Sequence, residues 1–112
     1  NQGAQILVNV TNDSWYGTWQ QPWEHGWMTL ARAVEVRRPL VRSTNTGIST
    51  VALASGEILT LSPLHQEWFS LYDVPYVKDP RPTAFMTWGY YFLPVMMFLT
   101  LVGLVWRSKA RK

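Results

Sequence analysis

No cysteine occurs among the 112 residues, and only two histidines do. A chain without cysteine holds no disulfide framework, no thiolate zinc site and no cysteine nucleophile of its own. His25 and His65 stand 40 positions apart, which leaves no local metal motif, so no metal is expected. No cofactor is expected either. Charge is also scarce, at 15% of residues against about 25% in an average chain. With 47% hydrophobic residues and seven Trp, the chain has the composition of a folded protein, and intrinsic disorder is excluded. An initiator methionine is missing too. The chain opens at Asn1 and reads as a piece of a longer protein.

The net charge of +3 is unevenly placed. Arg107, Lys109, Arg111 and Lys112 crowd the last six positions, and residues 1–106 carry six basic against seven acidic groups, a net of −1. A nucleic-acid partner needs basic groups spread over a folded face, and that distribution argues against one.

The longest uncharged stretch precedes this tail. Residues 84–106 include 18 apolar or aromatic residues among 23. As a helix they extend about 34 Å at 1.5 Å per residue, enough for a hydrocarbon core of about 30 Å. Phe85, Trp88, Tyr90 and Tyr91 crowd one end and Trp106 closes the other, as expected of rings that favour the headgroup boundary. A transmembrane helix is therefore expected over 84–106, interrupted by Pro94. A basic tail at 107–112 is expected to stay in the cytoplasm by the positive-inside tendency, with residues 1–83 on the opposite side.

Residues 1–83 predict strand, helix, then several strands. Gln5 to Val10 reads as a strand with apolar groups on both faces, expected in a sheet covered on both sides. Asn12, Asp13 and Ser14 end it, with side chains that bond local backbone. An aromatic loop follows with Trp15, Tyr16 and Trp19. Pro22 suits the first helical position. Trp23, Trp27, Leu30 and Val34 then share one helical face, and Pro39 ends the helix. Leu40 to Thr44, Ile48 to Ala54, Glu57 to Leu61 and Glu67 to Val74 read as strands, with a hairpin at Ser55-Gly56. Pro75, Pro80 and Pro82 mark an extended linker. Arg32 and Glu35, three apart on the helix, are expected to pair. One helix cannot cover both faces of such a sheet, so further layers must come from other sequence.

Several motifs stand in a fixed order: Asn12-Asp13-Ser14-Trp15-Tyr16-Gly17, Pro22-Trp23-Glu24-His25, Arg38-Pro39-Leu40-Val41-Arg42 and Ser43-Thr44-Asn45-Thr46-Gly47-Ile48. Followed by an apolar span and a basic tail, the order resembles the C-terminal part of the bacterial apolipoprotein N-acyltransferases. The resemblance implies an α/β fold, part of a nitrilase-like α-β-β-α sandwich of the carbon–nitrogen hydrolase superfamily, with one C-terminal transmembrane helix. It implies residues in the periplasm, anchored in the bacterial inner membrane. It implies a phospholipid as acyl donor and the N-terminal cysteine amine of a diacylglyceryl lipoprotein as acceptor. The family works through a Glu–Lys–Cys triad and a thioester, which divides acyl transfer into two easier steps. None of the three catalytic residues falls on this chain, so the 112 residues alone are expected to be inactive.

Asn12, Asp13, Trp15, Tyr16 and His25 are the candidate substrate-binding residues. Four of them follow a strand's carboxyl end, where ligands gather in layered α/β folds. Two readings stay open. The loop forms a rim of the acyl-chain cleft, or Asn12 and Asp13 serve loop backbone while Trp15 packs in the core. For His25 a structural hydrogen bond is the plainer role. Arg42, on a short strand, is ambiguous. A membrane-anchored amidase of the same superfamily and a non-catalytic binding module are the rival functions.

Overall fold

The computed structural model describes residues 3–17 and 20–110. The chain divides into two compact units, residues 1–81 and 82–112.

In the first unit, β1 (Leu7–Thr11) and β2 (Leu40–Thr44) lie parallel, with Leu7 opposite Leu40 and Thr11 opposite Thr44. Parallel neighbours need a crossover, and α1 (Gln21–Val36) supplies it. The strands β3 (Thr50–Ala52) and β4 (Ile58–Leu61) then add antiparallel, giving a mixed sheet in the order β1-β2-β3-β4. The hairpin between them closes where the Gly56 N–H donates to the Leu53 carbonyl at 2.9 Å. Gly56 holds a φ of 92°, in the region that only glycine enters without strain.

The core lies between α1 and one face of the sheet. Leu30 and Ala33 from the helix meet Leu40 and Ala52 from the strands, with Leu7 and Ile58 at the edges. The helix buries Pro22, Gly26, Leu30 and Ala33. Of the expected stripe Trp23, Trp27, Leu30 and Val34, only Leu30 is buried. The reason is distance. Small residues let the helix axis approach the sheet, whereas a row of indoles would hold it away.

The opposite face of β1 carries Val8 and Val10, both more than 70% exposed. Two covered faces were expected; among the described residues 3–17 and 20–81, α1 is the only helix, and it covers one. The outermost strands are shorter than their apolar runs. β1 begins at Leu7 rather than Gln5, and β3 is three residues rather than seven.

The helix ends earlier than Pro39. Arg37 adopts the left-handed conformation (φ 49°, ψ 54°), and the Arg38 N–H donates to the Ala33 carbonyl at 3.2 Å. No strand forms at 67–74, although Trp68, Ser70, Tyr72 and Val74 alternate as expected. Alternation defines two faces, but a strand also needs a neighbour for its backbone groups, and none stands beside it. Arg32 and Glu35 do pair, at 2.7 Å.

The second unit is α2 (Ala84–Ala110), a helix of 27 residues with Pro94 inside it. It is about 40 Å long, and by length and composition Ala84–Lys109 is sufficient to cross a membrane. The helix runs on past Trp106 into Arg107 and Lys109.

Gly26 tests the helix–sheet contact. A Cβ there would lie 3.9 Å from the Ile48 side chain, an ordinary contact. Gly26→Ala is therefore expected to stabilise the fold by about 0.5–1 kcal/mol, because alanine costs less backbone entropy in a helix. A raised denaturant midpoint checks this; a lowered one would mean that α1 packs closer to the sheet than described.

Candidate functional site

The parallel pairing sets the carboxyl ends of β1 and β2 side by side at Thr11 and Thr44. Two loops leave this edge, one leading to α1 and one leading to β3. They carry the two densest motifs of the sequence.

The site is built on Arg42. In β2, Leu40 and Arg42 face the same way, into the space beneath α1. A charge placed there costs several kcal/mol unless it is paired and hydrogen-bonded. Arg42 is 2% exposed, and its donors are used. Its Nε–H donates to the Ile48 carbonyl at 3.1 Å, and Nη1 donates to Asn9 Oδ1 at 2.6 Å and Thr29 Oγ1 at 2.7 Å. The Nη2 group donates to Asp13 Oδ2 at 2.8 Å. Strand β1, helix α1 and both loops thus converge on one guanidinium.

Asp13 is equally buried, and its other oxygen lies 2.8 Å from His25 Nδ1. An ionised carboxylate only accepts, which assigns the ring hydrogen to Nδ1 and leaves Nε2 as the acceptor of the imidazole. The 3.3 Å approach of Arg42 Nη2 to Nδ1 then joins two donors and is a contact only. The Tyr16 ring meets His25 edge-on, with centroids 5.1 Å apart and planes at 61°.

The two loops interlock above this pair. The Asp13 N–H donates to Asn45 Oδ1 at 3.0 Å, and Asn45 Nδ2 donates to Asn12 Oδ1 at 2.7 Å. Asn12 Oδ1 also accepts from the Ser14 N–H at 3.0 Å, closing a local turn. The Tyr16 N–H donates to the Asp13 carbonyl at 3.0 Å. Gly47 sits directly against Asp13, and a Cβ there would overlap its carboxylate.

Of the residues singled out from the sequence, Asp13, Tyr16 and His25 come together, and Asn12 joins them through Asn45. Trp15 does not: it is 85% exposed, so it does not pack in the core of this chain. Trp19, expected beside it, lies outside the described residues. Asn12 serves loop backbone, as one reading had it, but Asp13 turns its carboxylate inward. Arg42, Asn9, Thr29, Asn45 and Gly47 were not foreseen as part of the site. The signal for Arg42 was its register with Leu40: an arginine on the inward face of a short strand demands a buried carboxylate, and Asp13 is the acid at the adjacent strand end.

The arrangement holds no nucleophile beside its base, and no cluster of three metal-ligating side chains occurs among the described residues. Its chemistry is positional. Asp13 and Arg42 hold the loop, the loop presents Trp15 and Tyr16, and broad aromatic faces suit an apolar chain.

A mixed sheet with a helix on one face, and a ligand edge at the strand carboxyl ends, defines a layered α/β domain. The carbon-nitrogen hydrolase family profile matches residues 1–77, and the chain belongs to that family. Among its relatives, the apolipoprotein N-acyltransferase of Bdellovibrio bacteriovorus is 58% identical over 90 residues, 80% of this chain and 16% of that protein. The apolipoprotein N-acyltransferase 2 of Treponema denticola is 37% identical over 111 residues, 99% of this chain and 21% of that one. The apolipoprotein N-acyltransferase of Haemophilus ducreyi is 31% identical over 112 residues, covering 99% and 22%. The chain thus spans about a fifth of the length of these curated relatives.

Removing the arginine tests the site. Arg42→Met leaves Asp13 buried without its main partner, and the expected loss is about 3–5 kcal/mol of stability. Equilibrium denaturation reads it. A loss below about 1 kcal/mol, the range of an exposed pair, would contradict a central role for this pair.

Proposed function

We propose that the chain is part of a membrane-bound apolipoprotein N-acyltransferase. The protein moves an acyl chain from a phospholipid to the N-terminal cysteine amine of a diacylglyceryl lipoprotein. In this reading a thiolate attacks the phospholipid ester, the lysophospholipid leaves with a proton, and a thioester remains. The lipoprotein amine then attacks the thioester and the thiolate departs. The Glu, Lys and Cys of that chemistry are not among these 112 residues. Their part is the rim: Asn12, Asp13, Trp15, Tyr16 and His25 line the acyl-chain cleft, with Trp15 and Tyr16 against the hydrocarbon. Helix α2 anchors the protein in the bacterial inner membrane, residues 1–83 lie on the periplasmic side, and the tail at 107–112 is cytoplasmic.

The observation that carries this reading is the exposure of Trp15 on a loop whose base is buried and fixed. A large apolar ring held out on a rigid support is expected where a lipid chain must be gripped, and the named relatives act on lipoproteins by their names.

Trp15→Ala in the full-length protein tests it. Trp15 makes little packing, so the melting temperature is expected to stay within about 2 °C, the effect of a surface change of about 0.5 kcal/mol. Acyl transfer is expected to fall at least about tenfold, equivalent to about 1.4 kcal/mol of lost contact. Stability and transfer falling together would place Trp15 in packing, and unchanged transfer would remove it from the cleft. Release of free fatty acid without acylated lipoprotein would favour an amidase instead.

A further inference from the structure

A second arginine is buried at the other end of β2. Arg38 is 6% exposed and takes part in none of the described ion pairs. All its partners are main-chain carbonyls. Nε–H donates to Ala4 at 3.0 Å, and Nη1 donates to Val36 at 2.8 Å and Arg37 at 3.0 Å. Nη2 donates to Pro80 at 3.1 Å and Arg81 at 3.2 Å. A guanidinium has five N–H donors in a planar fork, and each finds an acceptor.

These carbonyls come from three separate segments. Val36 and Arg37 end α1, where carbonyls lack helical partners and carry the negative end of the helix dipole. Ala4 precedes β1. Pro80 and Arg81 are the last residues of the first unit. Pro80 and Pro82 have no N–H, so this stretch offers acceptors but cannot supply the donors of a strand ladder. A multi-donor cation is its complement. A lysine, with three donors at one point, cannot span the same set.

We propose that Arg38 is a positioning residue, a clasp that fastens residues 80–81 to the start of the sheet and shortens the connection to α2 to Pro82 and Thr83. From Arg81 to Ala84 the chain then reaches at most about 11 Å, three Cα steps of about 3.8 Å. Two bonds upstream also tie the segment: Gln5 Nε2 to the Lys78 carbonyl at 2.5 Å, and the His65 N–H to the Thr46 carbonyl at 3.1 Å. If the weaker exposed Gln5 bond opens with the clasp, the free chain from His65 to Ala84 reaches about 65 Å at roughly 3.4 Å per residue. The proposal rests on the reading that α2 spans a bilayer. Under that reading the clasp limits how far the domain can leave the surface that holds its lipid substrate, and a longer leash dilutes that substrate around the site.

The chain has no cysteine, so Glu57→Cys on the exposed hairpin takes a single donor fluorophore. Time-resolved energy transfer to headgroup acceptors in phosphatidylethanolamine–phosphatidylglycerol nanodiscs then reads the distribution of distances to the bilayer. In Arg38→Met the width is expected to at least double, and Arg38→Lys should fall between. Twelve Gly/Ser residues inserted between Pro82 and Thr83, with Arg38 intact, should broaden the distribution equally while leaving the melting temperature unchanged. This second variant covers the case in which Arg38→Met fails to fold. A distribution as narrow as the parent's in the insertion variant, or in folded Arg38→Met, would overturn the clasp. Co-elution of the parent chain with nanodiscs tests the spanning reading separately, so the two failures are distinguishable.

Discussion

The Arg42 guanidinium is a full charge under a helix, and the first unit is arranged around its neutralisation. An arginine in that position is costly by itself. It becomes tolerable because β1 brings Asn9, α1 brings Thr29, one loop brings Asp13 and the other brings the Ile48 carbonyl. Each partner comes from a different stretch of chain, so forming the pair also sets the register of the strands and the path of both loops. The exposed aromatic pair at Trp15 and Tyr16 inherits its position from this buried contact. His25 extends the same chain of contacts outward through Asp13 to the Tyr16 ring.

The two arginines at either end of β2 show two ways of burying the same group. Arg42 meets a carboxylate, with neutral acceptors filling the remaining donors. Arg38 meets carbonyls alone, including those of a helix terminus. The first arrangement fixes the loops at the carboxyl edge of the sheet. The second fixes the segment that leads toward α2. Packing between them depends on small residues: Gly26 and Ala33 let α1 sit close enough for Thr29 to reach Arg42.

Much of this was legible in the sequence. The α/β class, the Leu40–Thr44 strand, the hairpin at Ser55-Gly56 and the Arg32–Glu35 pair follow from local pattern, which is where periodicity and turn chemistry act. What failed depended on other parts of the chain. The bulky stripe Trp23, Trp27, Val34 looked like a core face, but helix depth is set by the partner sheet and selects Gly26 and Ala33. Glu67 to Val74 alternated like a strand without a partner to pair with. At the site, Asp13 and His25 were visible as residue types in a motif, whereas Arg42 acquires its meaning only from the parallel pairing that brings Asn9 and Asp13 to it. Gly47 was visible as turn chemistry, but the carboxylate it makes room for lies 34 positions earlier.

The central claim is that the buried pair holds the site loop, and amide hydrogen exchange in Arg42→Met addresses it most directly. The N–H groups of Asp13 and Tyr16 are bonded within the loop, to Asn45 Oδ1 and the Asp13 carbonyl. The account predicts that their protection collapses well before that of the β3–β4 ladder, the loop opening while the hairpin end of the sheet stays closed. Protection lost uniformly across the sheet, or retained at Asp13 and Tyr16, would contradict it.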